Sequence, residues 1–520
     1  RGPPKRSGHR NRRQGAGTHR VPPSIQMPGA PAVREQQSIR MKTIAILWTF
    51  LVKETSTGMK TFKPIEQDKS QQGTQENQPL YLTPLIEACR LDEAKSLSRV
   101  GSLGDVEDVP SYAGFLTVQP DMGSNMFFWF FPAKESPECA PVILWLAGGP
   151  GSSGMFGIFT EHGPFVLNDT GIPKLRESTW TTNFSVLYVD NPVGTGFSFT
   201  GKDQGYARNQ TDVSRDMLEA LQQFFTLFHE LARNEFYVTG ESFGGKYVPA
   251  VAYAIHTAVQ PRVRINLKGI AIGNGLVDLE SMLDYADYLY QIGLADCSEA
   301  AIFRQWCDKA KYYIKHERYS DAANVYDSII LCDFNTTCYL QQITGFDNHF
   351  NYLYAKLPLE LYYFVEFVQT PVVRDAIHVG NLSFYEGSLV VASHLFEDVA
   401  KSVKPCLTAL METYKVLIYN GQLDVIVPYP LTDNMISTIS WSGAKTFGSA
   451  PRKIWLSSNG QDVAGYVKQT ENFLQVFVRS AGHFVPHDQP EVALDMITRF
   501  IRGNSFARDC LPNSTIPDVK

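Results

Sequence analysis

The chain has no strong charge imbalance, no membrane-length apolar run, no metal-type cysteine spacing and no internal repeat. Its 47 Lys and Arg against 53 Asp and Glu over 520 residues leave a net charge of -6, which gives no footprint for nucleic acid. The apolar run Ile44 to Val52 in "MKTIAILWTFLV" is too short to span a bilayer, and no other stretch approaches that length. None of the eight cysteines forms a CxxC pair, which argues against a zinc ribbon or a thioredoxin motif. Without a fixed period, solenoid and propeller architectures are excluded. The 44% hydrophobic and 19% charged residues that remain describe a globular chain, long enough for one large domain with insertions.

The N-terminal part is unlike the rest. Residues 1–40 are basic, Gly- and Pro-containing and aperiodic, and read as a disordered leader or as sequence upstream of a true start at Met41. Residues 41–58 have the layout of a secretory signal peptide. Residues 59–110, with "EQDKSQQGTQENQ", read as a polar linker or N-terminal extension. Cys297, Cys307, Cys332 and Cys338 cluster closely enough for local disulfides, whose connectivity the spacing leaves open. Glycosylation acceptors occur at Asn168, Asn209, Asn335, Asn381 and Asn513. Asn183-Phe-Ser also matches, but it leads into an apolar strand and is expected to be buried. Together these features point to the secretory route, extracellular or lysosomal.

From Tyr112 the pattern is one of strands. "FLTVQ" and "NMFFWFFPA" read as a hairpin around the turn residues "PDMGSN". "PVILWLAGG" is a continuous apolar run, as expected of a strand buried on both faces. "VLYVDNP", "FYVTG", "KGIAIGNG", "KVLIYNG" and "LQVFVRSAGH" repeat that pattern. Asp212–Leu231 and "KYVPAVAYAIHTAV" read as helices between them. This alternation predicts an α/β fold with a mostly parallel sheet flanked by helices. Residues 285–369 lack strand runs and read as a mainly helical cap insertion. It divides a core of 111–284 and 370–505, with 506–520 as a tail.

Reactive groups in such a sheet collect at the carboxyl ends of strands. Gly240-Glu241-Ser242-Phe243-Gly244 follows "FYVTG", where only small neighbours allow a strand to turn at once into a helix with the serine exposed. A serine in a merely glycine-rich connection is the plainer reading of that pentapeptide alone. Asp424 after "KVLIY" and His483 after "LQVFV" change the balance. They supply an orienter and a base in the chain order Ser, Asp, His, on three separate strand ends. The N–H groups of Phe243 and of Gly149, in "WLAGGPGSSG", are the expected oxyanion donors. That segment is also formally G-x-G-x-x-G. Pro150 lacks a phosphate-facing N–H and "MFGIFTEHGPF" makes a poor βαβ helix, so no dinucleotide cofactor is expected. His483-x-x-x-His487 resembles a metal pair, but Pro486 argues against a continuous helix there, so no metal is expected.

Five segments in order, "WLAGGPGSSG", "DNPVGTGFS", "GESFGGKYVPA", "NGQLDVIVP" and "GHFVPHDQP", resemble the serine carboxypeptidases, from about Ser111 to Arg502. Within that family, "YAGFLTV", "FFWFFPA" and "YLYQIGLADC" look most like the vitellogenic-like branch. The resemblance implies an α/β-hydrolase fold, a triad of Ser242, Asp424 and His483, and peptide or protein C-termini as substrate. It further implies that Glu241, with Glu161 and Gly148, binds the substrate's terminal carboxylate. A glutamate can do so only when protonated, which implies an acidic working pH.

Two departures stand out. Ala147 occupies the position where the family usually has an asparagine that donates to the substrate carboxylate. Ser152 stands where the family often has a cysteine. The first keeps an esterase or acyltransferase open as an alternative activity on the same scaffold. A non-enzymatic protective or binding partner is a third reading, disfavoured because all three triad positions are filled.

Overall fold

The computed structural model describes residue 2 and residues 78–506, apart from 105, 335, 336 and 459. The expected leader apart from residue 2, the signal peptide and most of the C-terminal tail lie outside the described residues, as do Asn335 and Asn513.

Twelve strands are present among the described residues. They are β1 (Tyr112–Gln119), β2 (Ser124–Phe131), β3 (Val142–Leu146), β4 (Phe165–Leu167), β5 (Pro173–Leu175), β6 (Ser185–Val189), β7 (Phe236–Glu241), β8 (Leu267–Gly273), β9 (Lys415–Gly421), β10 (Lys453–Leu456), β11 (Val463–Gln469) and β12 (Phe473–Val478). Ten form one sheet in the order β1-β2-β6-β3-β7-β8-β9-β12-β11-β10, while β4 and β5 make a separate hairpin. The six strands from β6 to β12 run parallel, and antiparallel strands complete both edges. The β1–β2 turn passes through Gly123, whose φ of 66° suits glycine.

The alternation within a strand explains the two-sided core. In β3, Val142, Leu144 and Leu146 join one buried cluster, and Ile143 and Trp145 join the other, because successive side chains point to opposite faces. Helices Gln210–Leu227 and Gly244–Thr257 cover the first face, and helix Pro490–Arg502 the second. The first helix starts at Asn209, whose side chain accepts from the Asp212 N–H at 2.9 Å. The last ends at Gly503 in a left-handed conformation.

The helical insertion before β9 runs on past residue 369 through Pro371–Ala376, Leu389–His394 and Lys404–Met411, and the sheet resumes at β9, in the "KVLIYNG" run expected to be a strand. Of the two readings of residues 59–110, linker or N-terminal extension, the part from residue 78 is a packed extension. Helices Thr83–Glu87 and Leu91–Leu97 bury Leu82 and Ala94. Leu80 and Leu82 exchange backbone hydrogen bonds of 2.9 Å with Phe115, covering the otherwise free edge of β1.

Cys332 and Cys338 form a disulfide, whereas Cys297 and Cys307 are unpaired. Asn168 and Asn209 are half-buried and Asn381 is exposed. Asn183 is half-buried, not buried, because it caps a helical turn before β6 begins. Among the described residues, no helix is long and apolar enough to cross a membrane.

Candidate active site

The parallel strands end together at one edge of the sheet, and four of them deliver side chains there. β7 leads directly into Ser242 and then the helix from Gly244. Ser242 has φ = 57°, a left-handed conformation that costs a non-glycine residue roughly 1–2 kcal/mol. Its own N–H donates to the Gly273 carbonyl at 3.1 Å, and Gly245 N–H donates back to the Ser242 carbonyl at 2.9 Å. The turn is therefore pinned on both sides. After β3, Gly148 lies directly against it: a Cβ built there would sit 2.5 Å from the Ser242 Cβ and 2.8 Å from the Phe243 nitrogen. Only glycine permits that approach. Gly149 follows with φ = 99° and lines one pocket with Ser242 and Phe243.

Asp424 follows β9, and His483 follows β12. Their side chains meet at 2.9 Å between Asp424 Oδ2 and His483 Nδ1, both essentially buried. Three more donors converge on this carboxylate: Asn274 Nδ2 at 2.6 Å on Oδ2, and the N–H groups of Ile426 and Val427 at 2.9 and 3.2 Å on Oδ1. The imidazole is fixed by its backbone N–H, which donates to the Phe350 carbonyl at 2.7 Å, and by the Phe350 ring at 5.2 Å. With Nδ1 donating to Asp424, Nε2 is the acceptor nitrogen. It is buried and makes no hydrogen bond within the described chain.

A second acidic group lies beside the serine. Glu241 and Glu161, from β7 and from the helical turn Gly157–Glu161, are 3% and 0% exposed and face one another. Burial, with Glu161 as neighbour, pushes the Glu241 carboxyl well above the usual carboxylate range. Burial raises Glu161 to about 7, opposed by contact with Glu241 and by Arg176. Two adjacent carboxyls in a dry site both keep their protons in acid. His162, beside Glu161 at 3.7 Å, adds no charge: burial holds its pKa well below normal. It is sandwiched against Trp180 at 3.9 Å, and its Nδ1 and the Tyr188 hydroxyl are 3.0 Å apart. Ala147 is buried and brings no polar atom to this corner.

On the oxyanion side of Ser242 an apolar pocket opens between the sheet and the insertion. Leu276, Tyr326, Leu331, Phe396 and Val427 line it, with Asp333 as its acidic member. His487 Nδ1 donates to the Thr160 carbonyl at 3.1 Å.

The structure pairs Asp424 with His483 and Glu241 with Glu161, and seats Gly148 against Ser242 and Phe243, with Gly149 lining the same pocket; among the described residues His483 Nε2 has no hydrogen-bond partner, Ser242 included. Sequence reasoning passed over Asn274, the residue that donates to Asp424. Its signal was the "IGNG" end of β8, on the same sheet edge as the other strand-end residues.

A family model described as serine carboxypeptidase matches residues 103–503. The chain is 49% identical over 431 residues to the venom serine carboxypeptidase of Apis mellifera, covering 82% of this chain and 92% of that protein. It is 48% identical over 433 residues to the probable serine carboxypeptidase CPVL of Homo sapiens, with 82% and 90% covered. The vitellogenic carboxypeptidase of Aedes aegypti is 40% identical over 430 residues, with 82% and 90% covered. Among solved structures, Kex1(delta)p, a prohormone-processing carboxypeptidase from Saccharomyces cerevisiae, superposes with a TM-score of 0.68 at 24% identity. It covers 79% of this chain and 96% of that one.

Proposed function

The chain belongs to the serine carboxypeptidase family, and from that premise we propose that it releases C-terminal residues through an acyl-enzyme on Ser242, working best in acid. His483 Nε2 takes the Ser242 proton as the hydroxyl attacks the last peptide bond. Asp424 holds the imidazole in the tautomer that leaves Nε2 free, and stabilises the imidazolium. The N–H groups of Gly149 and Phe243 receive the developing oxyanion. His483 then protonates the leaving amine, and water attacks the acyl-enzyme by the reverse relay.

The observation that carries the exopeptidase reading is the buried Glu161–Glu241 pair immediately beside the serine. A general esterase has no use for two carboxyls kept protonated there. A peptide's terminal carboxylate does, since a protonated carboxyl donates to it. The Gly148 backbone lies against the same corner. The secretory route, extracellular or lysosomal, fits the Cys332–Cys338 disulfide, and Asn168, Asn209 and Asn381 are the described residues proposed to carry glycans.

The test is to assay the purified protein in acid on N-blocked dipeptides and on the matching C-terminal amides and esters. Cleavage of free-acid peptides, lost in Ser242→Ala, is expected. Hydrolysis of esters alone would overturn the reading in favour of an esterase. Activity unchanged in Ser242→Ala would overturn the nucleophile.

A further inference from the structure

The loop 148–154 carries one of the two oxyanion donors, and carboxyls grip it from opposite sides. On the sheet side is Asp190, the residue after β6, which is buried. Its Oδ1 accepts from Ser153 Oγ at 2.5 Å and from Gly154 N–H at 3.0 Å, and its Oδ2 from Phe197 N–H at 2.8 Å. On the insertion side is Glu386, half-buried, whose Oε2 accepts from Ser153 N–H at 3.0 Å. Its carboxyl also meets the Ser152 side chain.

The segment that carries Glu386 is itself anchored. Tyr385 and Gly196 exchange backbone hydrogen bonds of 2.9 and 3.0 Å, and Ser388 N–H donates to the Gly151 carbonyl at 3.0 Å. At Gly151, with φ = 100°, a Cβ would lie 2.9 Å from the Ser388 carbonyl oxygen, so loop and insertion are in backbone contact. Ser153, gripped from both sides, lies four residues from Gly149.

We propose that Glu386 is a positioning residue for the reaction: its carboxyl clasps Ser152 and Ser153 to the insertion and so fixes the Gly149 N–H against Ser242. The inference rests on the reading of Gly149 as an oxyanion donor. The groups that face Glu386 are Asp190 across the loop, Tyr362 from the turn Leu359–Tyr362, and the two serines. Among the described residues no ion pair includes it. Burial, with Asp190 nearby, raises its carboxyl to about 8, and burial raises Asp190 to about 6. At neutral pH Glu386 therefore keeps a proton, while its carboxyl still accepts from Ser153 N–H and from the Ser152 side chain. Above about pH 8 two carboxylates oppose each other across the loop and the clasp loosens.

The experiment compares full-length wild type, Glu386→Gln and Glu386→Ala by kcat and KM on an N-blocked dipeptide from pH 5 to 9. It adds the rate of Ser242 labelling by diisopropyl fluorophosphate, and the melting temperature. Glutamine keeps the acceptor for Ser153 N–H but cannot ionise. It is expected to hold kcat within about threefold and to retain the kcat that wild type loses above about pH 8, while KM still rises with pH as in wild type. Alanine removes the acceptor. Its kcat is expected to fall at least about tenfold with KM little changed, and labelling to slow in parallel, while the protein stays folded at the assay temperature. A labelling rate and kcat unchanged in Glu386→Ala would overturn the clasp. So would a glutamine variant with the wild-type alkaline midpoint, a readout that survives if the alanine variant does not fold. Wild type that takes no label and cleaves no peptide sinks the clasp together with the nucleophile. Normal wild-type labelling with an indifferent Glu386→Ala sinks the clasp alone.

Discussion

The Glu161–Glu241 pair turns substrate affinity into a function of pH, and the size of the effect follows from where its protons are held. The pair binds a terminal carboxylate well only while both groups are protonated, because losing one proton places a negative charge against the ligand's own. Glu161, raised by burial to about 7 from its ordinary 4.5, is the group that titrates first. For a single proton lost around 7, the dissociation constant should rise roughly tenfold between pH 6 and pH 8, about 1.4 kcal/mol. The measurement is calorimetric binding of an N-blocked dipeptide to Ser242→Ala, which removes turnover from the readout. The matching C-terminal amide serves as control. Adding Glu161→Gln and Glu241→Gln to that background leaves uncharged donors at both positions, and the dependence between pH 6 and 8 should flatten. Equal affinity at pH 6 and 8 without those changes would refute the reasoning. An amide with the same pH dependence as the acid would do so as well.

Three further outcomes are expected. Ala147→Asn should tighten binding of free-acid peptides about tenfold and leave amides unaffected, since an amide donor to a charged acceptor contributes about 1.5–3 kcal/mol; equal gains for both would count against it. Gly148→Ala drives a Cβ to 2.5 Å from Ser242 Cβ, so kcat should fall more than about 100-fold with a stability loss of roughly 1–3 kcal/mol; kcat within threefold of wild type would contradict the packing. Thermal stability should decline from pH 5 to pH 8. The folded state holds the Glu161 and Asp190 protons up to about 7 and about 6, whereas the unfolded chain releases them near pH 4. Stability present below the unfolded pKa is then lost as pH rises through the folded one, on the order of 3 kcal/mol for Glu161. A melting temperature that is flat or rises across that window would oppose this.

The legibility of each element in the sequence depends on how it is buried. The central strands are covered on both faces, so β3, β6, β7, β8 and β9 appear as unbroken apolar runs and each is identifiable. β10, the edge strand, and β11 beside it escape notice, because Lys453 and Lys468, partly or fully exposed, interrupt short apolar runs. The packed extension is masked by the polar stretch before it, although Leu80, Leu82 and Ile86 are apolar at closely spaced positions. At the site, the strand-end residues are accessible because each is announced by the strand before it. Asp190 ends the strand run "VLYVDNP" in the same way, but nothing in that run points to Ser153. Glu386 has no such herald. It sits in "SFYEGS", deep in the insertion, and its relation to Ser153 spans 233 positions of sequence.

The buried carboxyls at this sheet edge show how chemically similar side chains take different parts. Asp424 and Glu161 are equally inaccessible to solvent, both 0% exposed, so burial does not distinguish them. The supply of donors does. Asn274, Ile426, Val427 and His483 all point hydrogens at Asp424, the arrangement that stabilises an acceptor. Neither oxygen of Glu161 receives a hydrogen bond from elsewhere in the described chain apart from its contact with Glu241, so that pair must supply its own proton. An ionised carboxylate is what the imidazole requires, and a protonated pair is what an anionic peptide terminus requires. Both are met within one strand-end cluster because β8 and the loop after β9 bring their N–H groups to one carboxyl, and the turn Gly157–Glu161 brings none to the other.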